Sequence, residues 1–165
     1  MLRVLLVFFL FSAVSQLAAG QGPTSFSPEK ELERVRQQLA AFEAGGAADS
    51  VAFYYFRQAD LYCQLDQLED WLYSYWDLQA YFYEEPERAL PVLETALKNM
   101  WREPAALGEW EALLWVYTNK GYQAFRLGKV LASARAYERA AAVYEGHQIP
   151  EFDIVGYVYL PLGAH

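Results

Sequence analysis

Residues 117–140 read YTNKGYQAFRLGKVLASARAYERA. Tyr117, Gly121, Gly128, Ser133, Tyr137 and Ala140 follow one another at spacings of 4, 7, 5, 4 and 3. Spacings of 3, 4 and 7 return a side chain to the same helical face, and a glycine between two such runs marks a turn. Upstream, Ala89, Leu93 and Ala96 repeat the 4-then-3 spacing of Ser133, Tyr137 and Ala140, 44 positions earlier. This second copy is weaker, because no glycine stands at its expected turn.

The pattern resembles the tetratricopeptide repeat, a helix-turn-helix unit of about 34 residues. In that repeat an aromatic opens the first helix, and a small residue lets the second helix approach closely. A second small residue lies near the turn, and small, aromatic and small residues follow on the packing face of the second helix. The resemblance implies that Tyr137 and Ala140 face Gly121 and Ala124 across one antiparallel pair. Departures from the pattern are Ser133 for the usual alanine, Lys120 for a leucine and Ala124 for a second aromatic. Tyr159, Leu162 and Gly163 echo the opening of a further unit, 42 positions after Gly121.

The expected fold is therefore all-α. Antiparallel helix pairs stack as a TPR-like α-solenoid over residues 27–165, clearest over 110–146, with an incomplete last repeat at 153–165. The helix carrying Tyr157, Val158, Tyr159 and Leu162 is expected to expose an apolar stripe, because a solenoid end needs a polar cap. The chain is accordingly expected to be the front piece of a longer protein. A second resemblance concerns Asp153–Gly163, which read DIVGYVYLPLG. This stretch is similar to a repeat start in large exported bacterial proteins, where tetratricopeptide arrays precede a caspase-like domain of the CHAT family. Catalysis in that family belongs to a His and a Cys of the C-terminal domain. No part of this chain matches that domain, so no catalytic residue carries over.

The N-terminus reads as a secretory signal peptide, residues 1–20. Arg3 supplies the charge, an apolar run follows from Val4 to about Leu17, and Ala18-Ala19-Gly20 offers small residues for cleavage after Gly20. The expected location is secreted or periplasmic, with no integral membrane span after signal cleavage. Residues 21–26, rich in Gly, Pro, Ser and Thr, read as a linker. The mature chain would carry 12 basic and 21 acidic residues, a net charge of −9. Such a surface disfavours nucleic acid and anionic membranes, since phosphate contacts need Lys and Arg. Cys63, the only cysteine, excludes an intrachain disulfide and is expected as a buried apolar thiol.

About six or seven helices are expected. Ser27 can cap the first, with Pro28 in its first turn and Glu29 and Glu31 at the positive end of its dipole. Its apolar stripe is Leu32, Val35, Leu39 and Phe42, and Gly45-Gly46 ends it. Asp49 or Ser50 can cap the second, which runs through Phe53, Phe56, Asp60 and Cys63. A third covers about 67–83. No Gly or Pro separates it from the second, so one long helix is the alternative. Pro86 opens a fourth helix, with Pro91 inside as a potential kink. Pro104 breaks the chain again before Trp110, Leu113, Leu114 and Tyr117.

Little here points to chemistry. The two histidines, His147 and His165, fall in a loop and at the terminus, and no His/Cys metal spacing or phosphate loop occurs. No catalytic residue, metal or cofactor is expected. Glu84-Glu85-Pro86-Glu87 reads as a solvated turn with acids at a helix N-terminus. The third helix is apolar on two faces: Leu68, Trp71, Tyr75, Leu78 and Phe82 on one, and Tyr73, Trp76, Ala80 and Tyr83 on the other. Either both faces pack between neighbours, or Tyr73, Trp76 and Tyr83 line a ligand groove. The expected role is a scaffold for a protein or peptide partner. Rival roles are a helical carbohydrate-binding module that stacks sugars on Trp and Tyr, and an accessory region of a longer caspase-like peptidase.

Overall fold

Apolar stripes at helical spacing must find partners, and here they find them in chain order. The computed structural model describes residues 27–164. The expected signal peptide, the linker at 21–26 and His165 lie outside the described residues. Six long helices follow: α1 (Pro28–Gly45), α2 (Ala48–Gln64), α3 (Leu68–Tyr81), α4 (Pro86–Asn99), α5 (Leu107–Arg126) and α6 (Val130–His147). A π-helical turn (Val155–Tyr159) and the one-turn α7 (Leu160–Gly163) complete the described chain, which holds no strand. Each helix packs on the next, and α3 also packs on α5. Short connections make neighbours antiparallel. The result is an all-α solenoid of three stacked pairs, α1–α2, α3–α4 and α5–α6.

The first pair starts and stops where its residues require. Leu32, Val35 and Leu39 are buried, and Phe42 stacks on Tyr54 at 5.3 Å. Gly46 ends α1 in the left-handed region (φ 69°), where a side chain would be strained. Ser27 does not cap through its side chain. Its hydroxyl donates to Glu29 Oε2 at 2.6 Å. Neither Asp49 nor Ser50 caps α2, which begins one residue earlier, after Ala47.

Cys63 is exposed, contrary to the sequence expectation. The buried side of α2 runs through Val51, Tyr55, Ala59 and Tyr62, so the face carrying Phe53, Phe56 and Cys63 turns to solvent. Partial desolvation raises the thiol pKa, and the Asp60 and Asp66 carboxylates raise it further.

Between α2 and α3 the chain breaks without Gly or Pro. Asp66 takes a positive φ of 55°, a conformation Asp tolerates better than most residues. Its carboxylate accepts from Trp101 Nε1 at 3.1 Å and Arg102 Nε at 3.0 Å. Arg102 also grips Glu109 with both terminal nitrogens, at 2.9 and 2.6 Å. Glu109 Oε2 in turn accepts the Ala105 and Ala106 N–H groups that open α5. One guanidinium thus ties the α2–α3 turn to the start of α5.

The α5–α6 pair leaves no room for a side chain at residue 121. A Cβ on Gly121 would lie 2.9 Å from the Tyr137 ring. Ser133 donates its hydroxyl to the Gly121 carbonyl at 2.7 Å. Gly128 makes the turn at φ 68°. In α4 the weaker copy, Ala89, Leu93 and Ala96, is fully buried. The α3–α4 link, residues 82–85, is one residue longer than the α5–α6 link, residues 127–129, and uses no positive φ. It therefore needs no glycine. The helix continues through Pro91, which is exposed.

After α6, Ile149, Phe152, Ile154 and Val158 are buried against the preceding helices. Val155, Tyr157, Tyr159 and Leu160 are exposed. The expected apolar stripe is thus divided: Val158 is docked and Leu162 packs on the core, while Tyr157 leans on Trp115 with half its surface exposed and Tyr159 stays exposed.

Two outcomes follow from these contacts. Gly121→Leu would force the Tyr137 ring out of its seat and cost roughly 1–3 kcal/mol, read as a lowered thermal midpoint. The Glu109 carboxyl, ordinarily near 4.5, is held at about 2, chiefly by Arg102. A depressed folded-state value gives stability that is full above the unfolded value and is lost as pH falls through the folded one. Glu109→Gln should therefore cost about 1–3 kcal/mol near neutral pH. The difference should shrink between pH 4.5 and about 2, as urea unfolding across that range would show.

Candidate functional site

The two faces of α3 have different fates. Leu68, Trp71, Tyr75, Leu78 and Phe82 are buried, with Trp71 edge-on to Trp101 at 5.2 Å. Tyr73 and Trp76 are half-buried, Ala80 is exposed and Tyr83 is 40% exposed. Tyr73 meets Trp76 edge-on at 6.3 Å, and Trp76 lies 6.2 Å from Trp115 of α5. Tyr83 stacks on Tyr122 of α5 at 5.5 Å, with planes 12° apart.

Trp115 joins these groups to the segment after α6, meeting Phe152 at 4.9 Å and Tyr157 at 5.4 Å. A groove of about 320 Å³ opens between them, lined by Tyr83, Trp115, Thr118, Asn119, Tyr122 and Tyr157 among others. Of the residues singled out from the sequence, Tyr83 lines this groove, whereas Tyr73 and Trp76 are not among its lining residues.

Beneath the rings lies a ladder of buried amides. Gln79 donates to Asn119 Oδ1 at 3.4 Å, and Gln123 donates to Gln79 Oε1 at 3.3 Å. Asn119 donates to the Trp115 carbonyl at 2.9 Å. Arg126 donates to the Tyr83 carbonyl and to Glu84, and its guanidinium lies 5.4 Å from the Tyr83 ring and 5.8 Å from the Tyr122 ring. Two buried polar atoms stand out. Trp76 Nε1 and Thr118 Oγ1 have no hydrogen-bond partner among the described residues. Such groups cost free energy when left unpaired. Burial pushes the Tyr73 phenol up to about 12, helped by Glu111, Glu69 and Asp77. The Tyr122 hydrogen bond raises that of Tyr83.

The α5 contributors were missed in the sequence, although a signal for them exists. Trp71-Leu72-Tyr73 and Gln79-Ala80 recur 44 positions later as Trp115-Val116-Tyr117 and Gln123-Ala124. This is the same shift that relates α4 to α6. It aligns Ser74 with Thr118. Ser74 donates to the Asp70 carbonyl at 2.9 Å, while Thr118 finds no acceptor.

His147 stacks on Trp110 at 3.6 Å. Among the described residues no group of three or more His, Cys, Asp or Glu side chains is placed to hold a metal ion, and no helix is long and apolar enough to cross a membrane. The chain matches no protein-family model, no curated protein and no solved structure.

Thr118→Val should stabilise by up to about 1–3 kcal/mol, since it removes a buried hydroxyl without a partner. Denaturant melts would show it, and a loss of stability would reveal a hidden hydrogen bond.

Proposed function

We propose that this chain is a TPR-like scaffold of an exported protein, and that the groove between α5 and the segment after α6 binds a peptide segment of a protein partner. The observation that carries the reading is the groove itself. Half-exposed rings of Tyr83, Trp115, Tyr122 and Tyr157 line it, together with the polar side chains of Thr118 and Asn119. Aromatic rings give large contact area at small entropy cost, and a peptide backbone supplies both donors and acceptors. The Arg126 guanidinium already lies against Tyr83 and Tyr122. That placement favours a peptide over a sugar, which would need those ring faces free. Export rests on the charged start, the apolar run and the small residues at positions 18–20.

Selection from a displayed random peptide library tests the groove. Selected peptides should bind Tyr83→Ala and Tyr122→Ala at least about tenfold more weakly, as for aromatic anchors elsewhere. Undiminished binding to both variants would remove the groove from consideration. Binding of oligosaccharides but no peptide would favour the carbohydrate reading. N-terminal sequencing of exported material should begin at Gln21, and retention of Met1 in the cytoplasm would overturn export.

A further inference from the structure

The charge of this chain is unevenly spread. Residues 27–85 carry 12 acidic and 4 basic side chains, whereas residues 86–147 carry 7 acidic and 8 basic. The cations are also used differently. Arg34, Arg57, Arg88, Arg102 and Arg126 each have a carboxylate within ion-pair distance, and Arg36 is held by the Tyr62 hydroxyl at 2.6 Å. Lys120, Arg135 and Arg139 have no such carboxylate among the described residues, and all three line one groove.

That groove, of about 730 Å³, runs between α4 and α6 with α5 as its floor. Lys120 is half-buried on the floor, beside Tyr117. Arg135 and Arg139 are exposed on α6, one helical turn apart. The α6 wall is otherwise largely alanine, at positions 132, 136 and 142, and Leu97 of α4 faces it. Small walls leave space, and the apolar stems of Arg and Lys add greasy surface below their charged heads. Glu94 and Glu138 also border the groove, yet neither comes within ion-pair distance of the three cations.

Lys120 lies on the opposite side of α5 from Tyr122, since two residues turn a helix through about 200°. The groove is thus separate from the aromatic one. We propose that it is a second docking site, and that it takes an acidic amphipathic helix of a partner protein. Carboxylates one turn apart on such a helix match the spacing of Arg135 and Arg139, about 6 Å along the axis. Lys120 meets a third carboxylate between them, and apolar residues of the helix rest on Leu97, Tyr117 and the alanines. Paired guanidinium forks hold carboxylates with defined geometry.

A dye-labelled peptide with glutamates at i, i+4 and leucines on the other face is the probe, read by fluorescence anisotropy on the full chain. A second peptide carries glutamine at each glutamate. The glutamate peptide should bind, and the glutamine peptide should bind at least about tenfold more weakly. Raising the salt to about 1 M, where screening acts within about 3 Å, should weaken the first and spare the second. Arg135→Gln with Arg139→Gln, both at exposed positions, should leave the helical circular dichroism intact and weaken the glutamate peptide by about tenfold. Lys120→Gln is the independent variant and should do the same. Tyr83→Ala should leave this binding unchanged, which separates the site from the aromatic groove. Equal binding of the two peptides, no binding of either, or full binding to the double variant would overturn the proposal.

Discussion

An aromatic ring and a Cβ cannot share one space, so Tyr137 sits where it does only because residue 121 is glycine. That contact sets how deeply α6 settles on α5, and Ser133 holds it with a hydroxyl donated to the Gly121 carbonyl. Both grooves depend on the result. Tyr137 lines the aromatic groove, and Arg135 and Arg139, two residues to either side of it on α6, line the other. Shifted by 44 positions, Gly121 aligns with Asp77 and Tyr137 with the smaller Leu93. Repeat geometry is kept by complementary sizes rather than by identical residues.

The second constraint is electrostatic and acts between pairs. Arg102 belongs to a loop, yet it fixes the Asp66 turn and the first turn of α5 together. Backbone strain at Asp66 is accommodated because its carboxylate has two donors, Trp101 Nε1 and Arg102 Nε. Trp101 in turn covers Trp71, much as Phe152, in the loop after α6, covers Trp115. The α3–α4 and α5–α6 pairs are thus each closed by an aromatic from the loop that follows them. This is a solenoid rule, in which a unit buries its face only with its neighbour's help.

These dependencies explain what could be read in advance. Local signals were legible: the Pro28 start and Gly46 stop of α1, the Gly121–Tyr137 contact, and the fully buried Ala89, Leu93 and Ala96. Both faces of α3 could be named, including Tyr73, Trp76 and Tyr83. What escaped is set by residues distant in the chain. The break at Asp66 depends on Arg102, 36 positions away. The exposure of Cys63 depends on which face of α2 meets α1 and α3, and the aromatic residues around it mask that choice. The rings that meet Trp76 and Tyr83, those of Trp115 and Tyr122, come from α5, which only stacking brings near. The 44-residue shift from Trp71 to Trp115 holds that information in outline, without saying which copy stays open.

The difference between the copies is where function has room to arise. Trp71 is sealed, while Trp115 remains half-buried at the edge of a groove. Ser74 satisfies its hydroxyl on its own helix, whereas Thr118 at the same register does not. A buried hydroxyl without a partner costs about 1–3 kcal/mol, an appreciable share of a small domain's stability. The interior of the solenoid around α3 avoids that cost at Ser74. The α5 groove bears it at Thr118, beside Tyr83, Trp115 and Tyr122. Thr118 Oγ1 is itself buried, so an occupant would meet the rings of Tyr83, Trp115 and Tyr122 first, and it is these rings that argue for one.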